Sequence, residues 1–298
     1  MDGPDRPPTP LELEVGPTIP GRVARWSQRV RILRSRVEAA RTRHTSVDLA
    51  FDLVERESTI GGGMLAGALA YRLFVFLLPF SLLLVSGIGI WADTTGLSTS
   101  EVVSRAGLTG LIAGEIGEAA NSSARWWIFV ATVPILVYAT GMLYRSIAIV
   151  HAIAWHGSGR GVRISPKGFA VFTVVLLTQL ACVAVIGWIR RNDEGLGLDA
   201  LLVYGLLLAG AWLLLARWLP GGTVGPRALL PGAALFGGGM LLVNAFNVYV
   251  TSRLVEDRAD TYGALGVAAA LLFSLYLVGR LMVGSAVLNA TLDARRRG

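Results

Sequence analysis

Six apolar runs dominate this chain, each 20 residues or longer: Ile60 to Trp91, Trp126 to Trp155, Gly168 to Ile189, Ala200 to Leu219, Ala228 to Val250 and Tyr262 to Leu288. A helix needs about 20 mainly apolar residues to cross a hydrocarbon core of about 30 Å. Inside that core each backbone amide must find its partner within the protein, and the α-helix does this segment by segment. The runs therefore predict an all-α fold, a polytopic membrane helical bundle with about six transmembrane helices. The charge content agrees: 16% of the 298 residues are charged, against roughly a quarter in an ordinary soluble domain. The first, second and sixth runs are long enough to tilt or to extend past the bilayer.

Orientation follows from the basic residues flanking the runs. One alternating set of flanks holds Arg41, Arg43 and Arg56, then Arg160, Arg163 and Lys167, then Arg217 and Arg227, and finally Arg295, Arg296 and Arg297. The other set holds Arg105 and Arg125, Arg190 and Arg191, and Arg253 and Arg258, each pair accompanied by at least as many acids. The first set is expected in the cytoplasm, with both termini, as in a multi-pass protein.

Residues 1–20 carry six prolines among scattered charges, which predicts a disordered cytoplasmic lead rather than a cleavable signal peptide. Residues 21–59 read as basic amphipathic or interfacial helices. Between Arg22 and Arg43 there are eight arginines and one acid, Glu38, while Val23, Trp26, Val30, Leu33, Val37 and Ala40 recur at helical spacing. Such a helix suits an anionic leaflet, and equally suits a solvated role as a carrier of positive charge. A second short helix, Val47 to Glu57, sets Val47, Phe51 and Val54 on one side and is expected at the interface. The six-helix domain spans 60–290, and 291–298 form a basic cytoplasmic tail. Between the first two runs, Ser98 with Glu101 three residues on reads as a capped outer helix.

The net charge of +7 lies in a tail, short loops and helix ends, a placement that fits a membrane surface and predicts no nucleic-acid partner. Cys182 is the only cysteine, so no internal disulfide or multi-cysteine metal site can form. His151 and His156, the two histidines near one another, have no neighbouring acid to complete a metal set and read as interfacial. With no phosphate loop, nucleophile elbow or paired carboxylates in the bundle, the chain is expected not to be an enzyme and to use no metal and no cofactor.

The polar residues inside the runs are the candidate site. Arg145 follows Trp126 by nineteen residues and Arg280 follows Tyr262 by eighteen. At 1.5 Å per residue both lie about 27–28 Å from the outer face. Arg72 precedes the fully apolar part of the first run. All three fall in the cytoplasmic third, and no Asp or Glu lies within the runs to pair with them. They serve either as snorkelling anchors or as a cytoplasm-facing site for an anion such as a lipid phosphate, to which arginine offers bidentate hydrogen bonds. Pro79 marks a hinge or a packing notch. Gln179, Asn244 and Asn247 read as interhelical hydrogen bonds or as transport ligands, the former being the commoner use. The clusters Gly61 to Gly63 and Gly237 to Gly239 permit close backbone approach or a flexible entry.

Three ordered motifs resemble a known family. The stretch GGGMLAGALAYRLFVFLLP, Gly61 to Pro79, is similar to the first-helix signature of the YihY/virulence factor BrkB family of bacterial inner-membrane proteins. PRALLPGA, Pro226 to Ala233, resembles its Pro-Gly-Ala element. Tyr262, Gly263 and Gly266, with Leu275 to Leu277 and the terminal Leu288, Asn289 and Ala290, resemble its closing segment. The resemblance covers about Asp48 to Ala290 and implies a six-helix membrane domain with an envelope role. Members have carried a ribonuclease BN label, for which these residues offer no chemistry. Where the family often has Gly-Ala-Glu-Leu-Asn-Ala, this chain reads Ser285 to Ala290 with Val287 in place of the acid, so an ion-pairing role at that position does not carry over.

The functional expectation is a membrane protein that binds or translocates an anionic lipid or amphiphile through Arg72, Arg145 and Arg280. The alternative is a non-transporting scaffold that organises envelope partners. Its expected partners are membrane lipids, anionic in kind, with a homo-oligomer or envelope proteins as further possibilities.

Overall fold

A computed structural model describes residues 45–95, 125–192, 197–220, 224–247 and 252–297. The secondary structure of these residues is helical, without strands: α1 (Thr45–Thr59), α2 (Gly62–Thr95), α3 (Arg125–His156), α4 (Pro166–Asn192), α5 (Gly197–Ala216), α6 (Pro226–Phe246) and α7 (Ser252–Arg297). The basic helix expected over 22–43 and the outer helix expected from Ser98 lie outside the described residues. The chain divides into two units, Met1–Asp52 and Leu53–Gly298. The first contributes only the opening turns of α1 to the described structure, and the second is the bundle.

Four helical stretches among the described residues are long and apolar enough to cross a membrane: Gly62–Trp91, Trp126–His156, Pro226–Phe246 and Ala268–Arg297. The described apolar parts of α4 and α5 are shorter, Pro166–Gln179 and Leu201–Ala216. The flanks of these helices show why lipid must be the solvent. Tyr138, Leu206 and Leu242 are each at least 70% exposed, and Leu82, Val130 and Val137 stand out beside them. An apolar surface of this extent in water would drive aggregation, whereas in a bilayer it costs nothing.

Inside, α2 packs along α3 and α7, α7 also along α6 and α3, and α5 along α6. Leu69, Leu143, Tyr144, Ile147, Val283, Ala286 and Val287 form the centre of the core. Small residues set the closest crossings. A Cβ on Gly279 would lie 2.5 Å from the carbonyl oxygen of Ala66, and one on Gly237 would lie 2.6 Å from that of Gly205. Glycine therefore lets α7 and α2, and α6 and α5, approach backbone to backbone. In the Gly237 to Gly239 cluster, Gly237 and Gly239 are thus packing positions, Gly239 against the Leu281 side chain, whereas nothing lies within 4 Å of a Cβ on Gly238.

Pro79 is buried within an unbroken α2, and Pro134 is exposed within an unbroken α3. Proline removes an amide donor and leaves the carbonyl four residues earlier without its helical partner. Pro226 opens α6 at its first turn, where a missing N–H has no helical acceptor to lose.

Candidate functional site

The site forms where α1 turns into α2. Gly61 adopts φ +67°, a left-handed conformation that glycine takes without strain, and with Ile60 it forms the turn between the two helices. Beside it a Cβ on Gly62 would strike the side chain of Glu57. Gly62 therefore leaves the space into which the Glu57 side chain folds. The carboxylate is met from α7 by the guanidinium of Arg280, whose Nη1 pairs with Glu57 Oε1. The two side chains keep 38% and 25% of their surface, respectively, open. Gly279, docked on Ala66, fixes the height of this contact about one helical turn into α2.

The pair opens onto a cleft of about 390 Å³ lined by Val54, Glu57, Ser58, Gly61, Gly62, Gly63, Met64 and Arg280. Val54 and Met64, 65% and 84% exposed, form an apolar rim over this polar floor. The expected absence of acidic partners thus holds within the apolar runs but not at their margin. Glu57 stands three residues before the first run and reaches Arg280.

The other two arginines sit elsewhere. Arg72 is half-buried, its guanidinium carbon 5.9 Å from the ring centre of the adjacent exposed Tyr71, a cation–π arrangement. Arg145 is exposed on α3. Arg280 is the one of the three that lines the cleft. Two of the three amides join helices. Gln179 donates from Nε2 to the Leu207 carbonyl at 3.4 Å, bridging α4 and α5, and Asn247 accepts from the Ser274 hydroxyl at 2.7 Å, bridging α6 and α7. Asn244 lies exposed on α6.

Three features went unread in the sequence. Arg56 donates from Nη2 to the Ala154 carbonyl at 2.9 Å and from Nη1 to the Ala290 carbonyl at 3.5 Å; Ala154 lies in the last turn of α3, where carbonyls lack helical donors and the dipole favours a cation, and Ala290 lies within α7. Asn289 is buried, accepts from the Gly232 amide at 2.8 Å and donates to the Leu229 carbonyl at 3.3 Å. His151, expected at the interface, is instead buried in the core. Its Nδ1 lies 3.2 Å from the Ile147 carbonyl and its ring 5.7 Å from that of Trp212, which stacks on Phe236 at 4.2 Å. The adjacent charges of Arg56 and Glu57, separated from the glycine triplet by Ser58, Thr59 and Ile60, were the local signal for the cleft.

No group of three or more His, Cys, Asp or Glu side chains stands close enough to hold a metal ion among the described residues. Long apolar helices, lipid-exposed flanks and a polar notch near one end define a polytopic α-helical membrane protein. The chain belongs to the virulence factor BrkB family, whose model matches residues 54–298. No curated protein and no solved structure matches it. Two motifs of the family resemblance meet in space, the Pro-Gly-Ala element at Gly232 and the closing segment at Asn289. Val287, which stands where the family often has an acid, is 2% exposed among apolar neighbours.

Proposed function

We propose that this chain is a six-span protein of a bacterial inner membrane, with both termini in the cytoplasm, that binds the phosphate of an anionic lipid or similar amphiphile and carries it across the bilayer. The observation behind this reading is the cleft at the α1–α2 turn, where Arg280 lies on a polar floor below the apolar Val54 and Met64. An amphiphile needs that combination: a cation for its headgroup and an apolar edge where its chains leave for the lipid. Arg280 is the headgroup contact, and the buried Pro79 within α2 is the hinge that lets the turn above it move. Arg72 and Arg145, outside the cleft, hold the helices at the inner headgroups.

The test is the movement of a fluorescent anionic lipid in vesicles that contain the full chain. Wild type is expected to speed that movement, Arg280→Gln to abolish it and Arg145→Gln to retain it. If well-folded wild type moves none of several lipids, transport fails and the scaffold reading, in which all three arginines are anchors, takes its place. That second reading draws on the exposure of Arg145 and on the seat of Arg72 against Tyr71.

A further inference from the structure

We infer that the cleft selects a headgroup carrying both charges, a phosphate joined by two carbons to a primary ammonium, as in a phosphoethanolamine lipid. This rests on the proposal that Arg280 binds a lipid phosphate and narrows the ligand of that reading from an anionic lipid to the similar amphiphile whose headgroup is zwitterionic. A cleft for a purely anionic ligand would present uncompensated positive charge. Here Arg280 is already matched by Glu57, and the two charged groups lie side by side on the cleft floor. An anion that took Arg280 from Glu57 would leave a half-buried carboxylate, its Oε1 shielded from solvent, without the counter-charge it now has. A ligand with both charges avoids this. Its phosphate replaces Glu57 at the guanidinium, its ammonium replaces Arg280 at the carboxylate, and two ion pairs stand where one stood.

The geometry fits that exchange. Both side chains keep part of their surface open, so a headgroup can reach both charges. The cleft, about 390 Å³, is bordered on the Gly61 to Gly63 side by residues without side chains, so a headgroup can lie close to the backbone. Gly63 leaves space beside the Tyr276 hydroxyl, 3.8 Å from where a Cβ would stand. The exposed Val54 and Met64 lie where the first carbons of the acyl chains emerge. A quaternary ammonium offers no N–H to the carboxylate, so a choline headgroup is expected to bind less well than an ethanolamine one.

The test uses the full chain in vesicles of phosphatidylcholine doped with a lipid spin-labelled on its acyl chain and bearing an ethanolamine, glycerol or choline headgroup. The fraction of label immobilised by protein is read by electron paramagnetic resonance. Wild type is expected to prefer the ethanolamine lipid to the glycerol lipid by about fivefold, the scale of one partly exposed ion pair. Glu57→Gln should erase or invert that preference while keeping the glycerol lipid bound. Arg280→Gln should release both. The exchanged pair Glu57→Arg with Arg280→Glu restores the internal contact and so controls for folding; it should keep thermal stability yet lose the ethanolamine preference. Equal or better binding of the glycerol lipid by wild type, unaltered by Glu57→Gln, overturns the selectivity and leaves the phosphate site standing. Loss of selective binding for every labelled lipid in folded wild type overturns both.

Discussion

Asn289, near the end of α7, reaches across 57 positions of sequence to accept the amide hydrogen of Gly232 at 2.8 Å, and returns a hydrogen bond to the carbonyl of Leu229 at 3.3 Å. Both ends of its side-chain amide are thereby satisfied in a buried setting. The first turns of α6 are read backbone-first, through a side chain whose shape fits them.

Asn289→Leu should therefore destabilise the bundle although it adds apolar volume. Two hydrogen bonds are lost and a larger branched group meets the Gly232 backbone, for a cost of about 1–3 kcal/mol. Thermal unfolding of the detergent-solubilised chain is the measurement. An unchanged midpoint would show that the contact contributes nothing.

The glycines divide cleanly. A Cβ on Gly232 would lie 2.5 Å from the Ser285 carbonyl oxygen, and one on Gly279 just as close to that of Ala66, whereas nothing lies within 4 Å at Gly67 or Gly238. Gly232→Ala and Gly279→Ala should each cost about 1–3 kcal/mol because backbone has to move. Gly67→Ala and Gly238→Ala should be neutral or stabilising by up to about 1 kcal/mol, since both sit inside helices. Unfolding midpoints of the four variants, measured side by side, decide the matter.

Arg56 ties the last turn of α3 to α7 through two carbonyls. Arg56→Gln shortens the reach and removes the cation from the helix end, and a loss of about 1–2 kcal/mol is expected. Proteolysis should report it locally, as faster cleavage after Arg160 and Arg163 in the segment that follows α3.

Trp212 carries a buried indole nitrogen that has no hydrogen-bond acceptor among the described residues, while its ring stacks on Phe236 at an interplanar angle of 16°. Trp212→Phe keeps most of the stack and removes the unsatisfied donor, so its net effect should stay within about 1 kcal/mol. Trp212→Ala should cost about 3–5 kcal/mol through the cavity it leaves. Comparable losses in the two variants would mean that the indole nitrogen matters.

The helices themselves were legible because lipid imposes a length. The second run, Trp126 to Trp155, matches α3 to within one residue at each end, and the first and fifth runs end within a few residues of α2 and α6. The sixth was read too short. Ser252 to Asp260 is polar, and α7 extends through it, a continuation that apolar patterning cannot register. Gln179 and Asn247 each bond to a neighbouring helix, the commoner use of amides in lipid. The cleft did not follow, because an apolar-run reading stops at Ile60 while Glu57 reaches Arg280 from outside the run. His151 was misplaced for the same reason in reverse, since a titratable ring near a run's end looks interfacial until Trp212 is seen to cover it.

Arg280 and Asn289 are nine residues apart on one unbroken helix, about 13 Å along a stiff axis. One grips the turn between α1 and α2, and the other grips the opening of α6. A piston stroke of α7 that withdrew Arg280 from Glu57 would carry Asn289 with it and tug on Gly232. Through this one helix the Glu57 contact and the seating of α6 are held at a fixed separation.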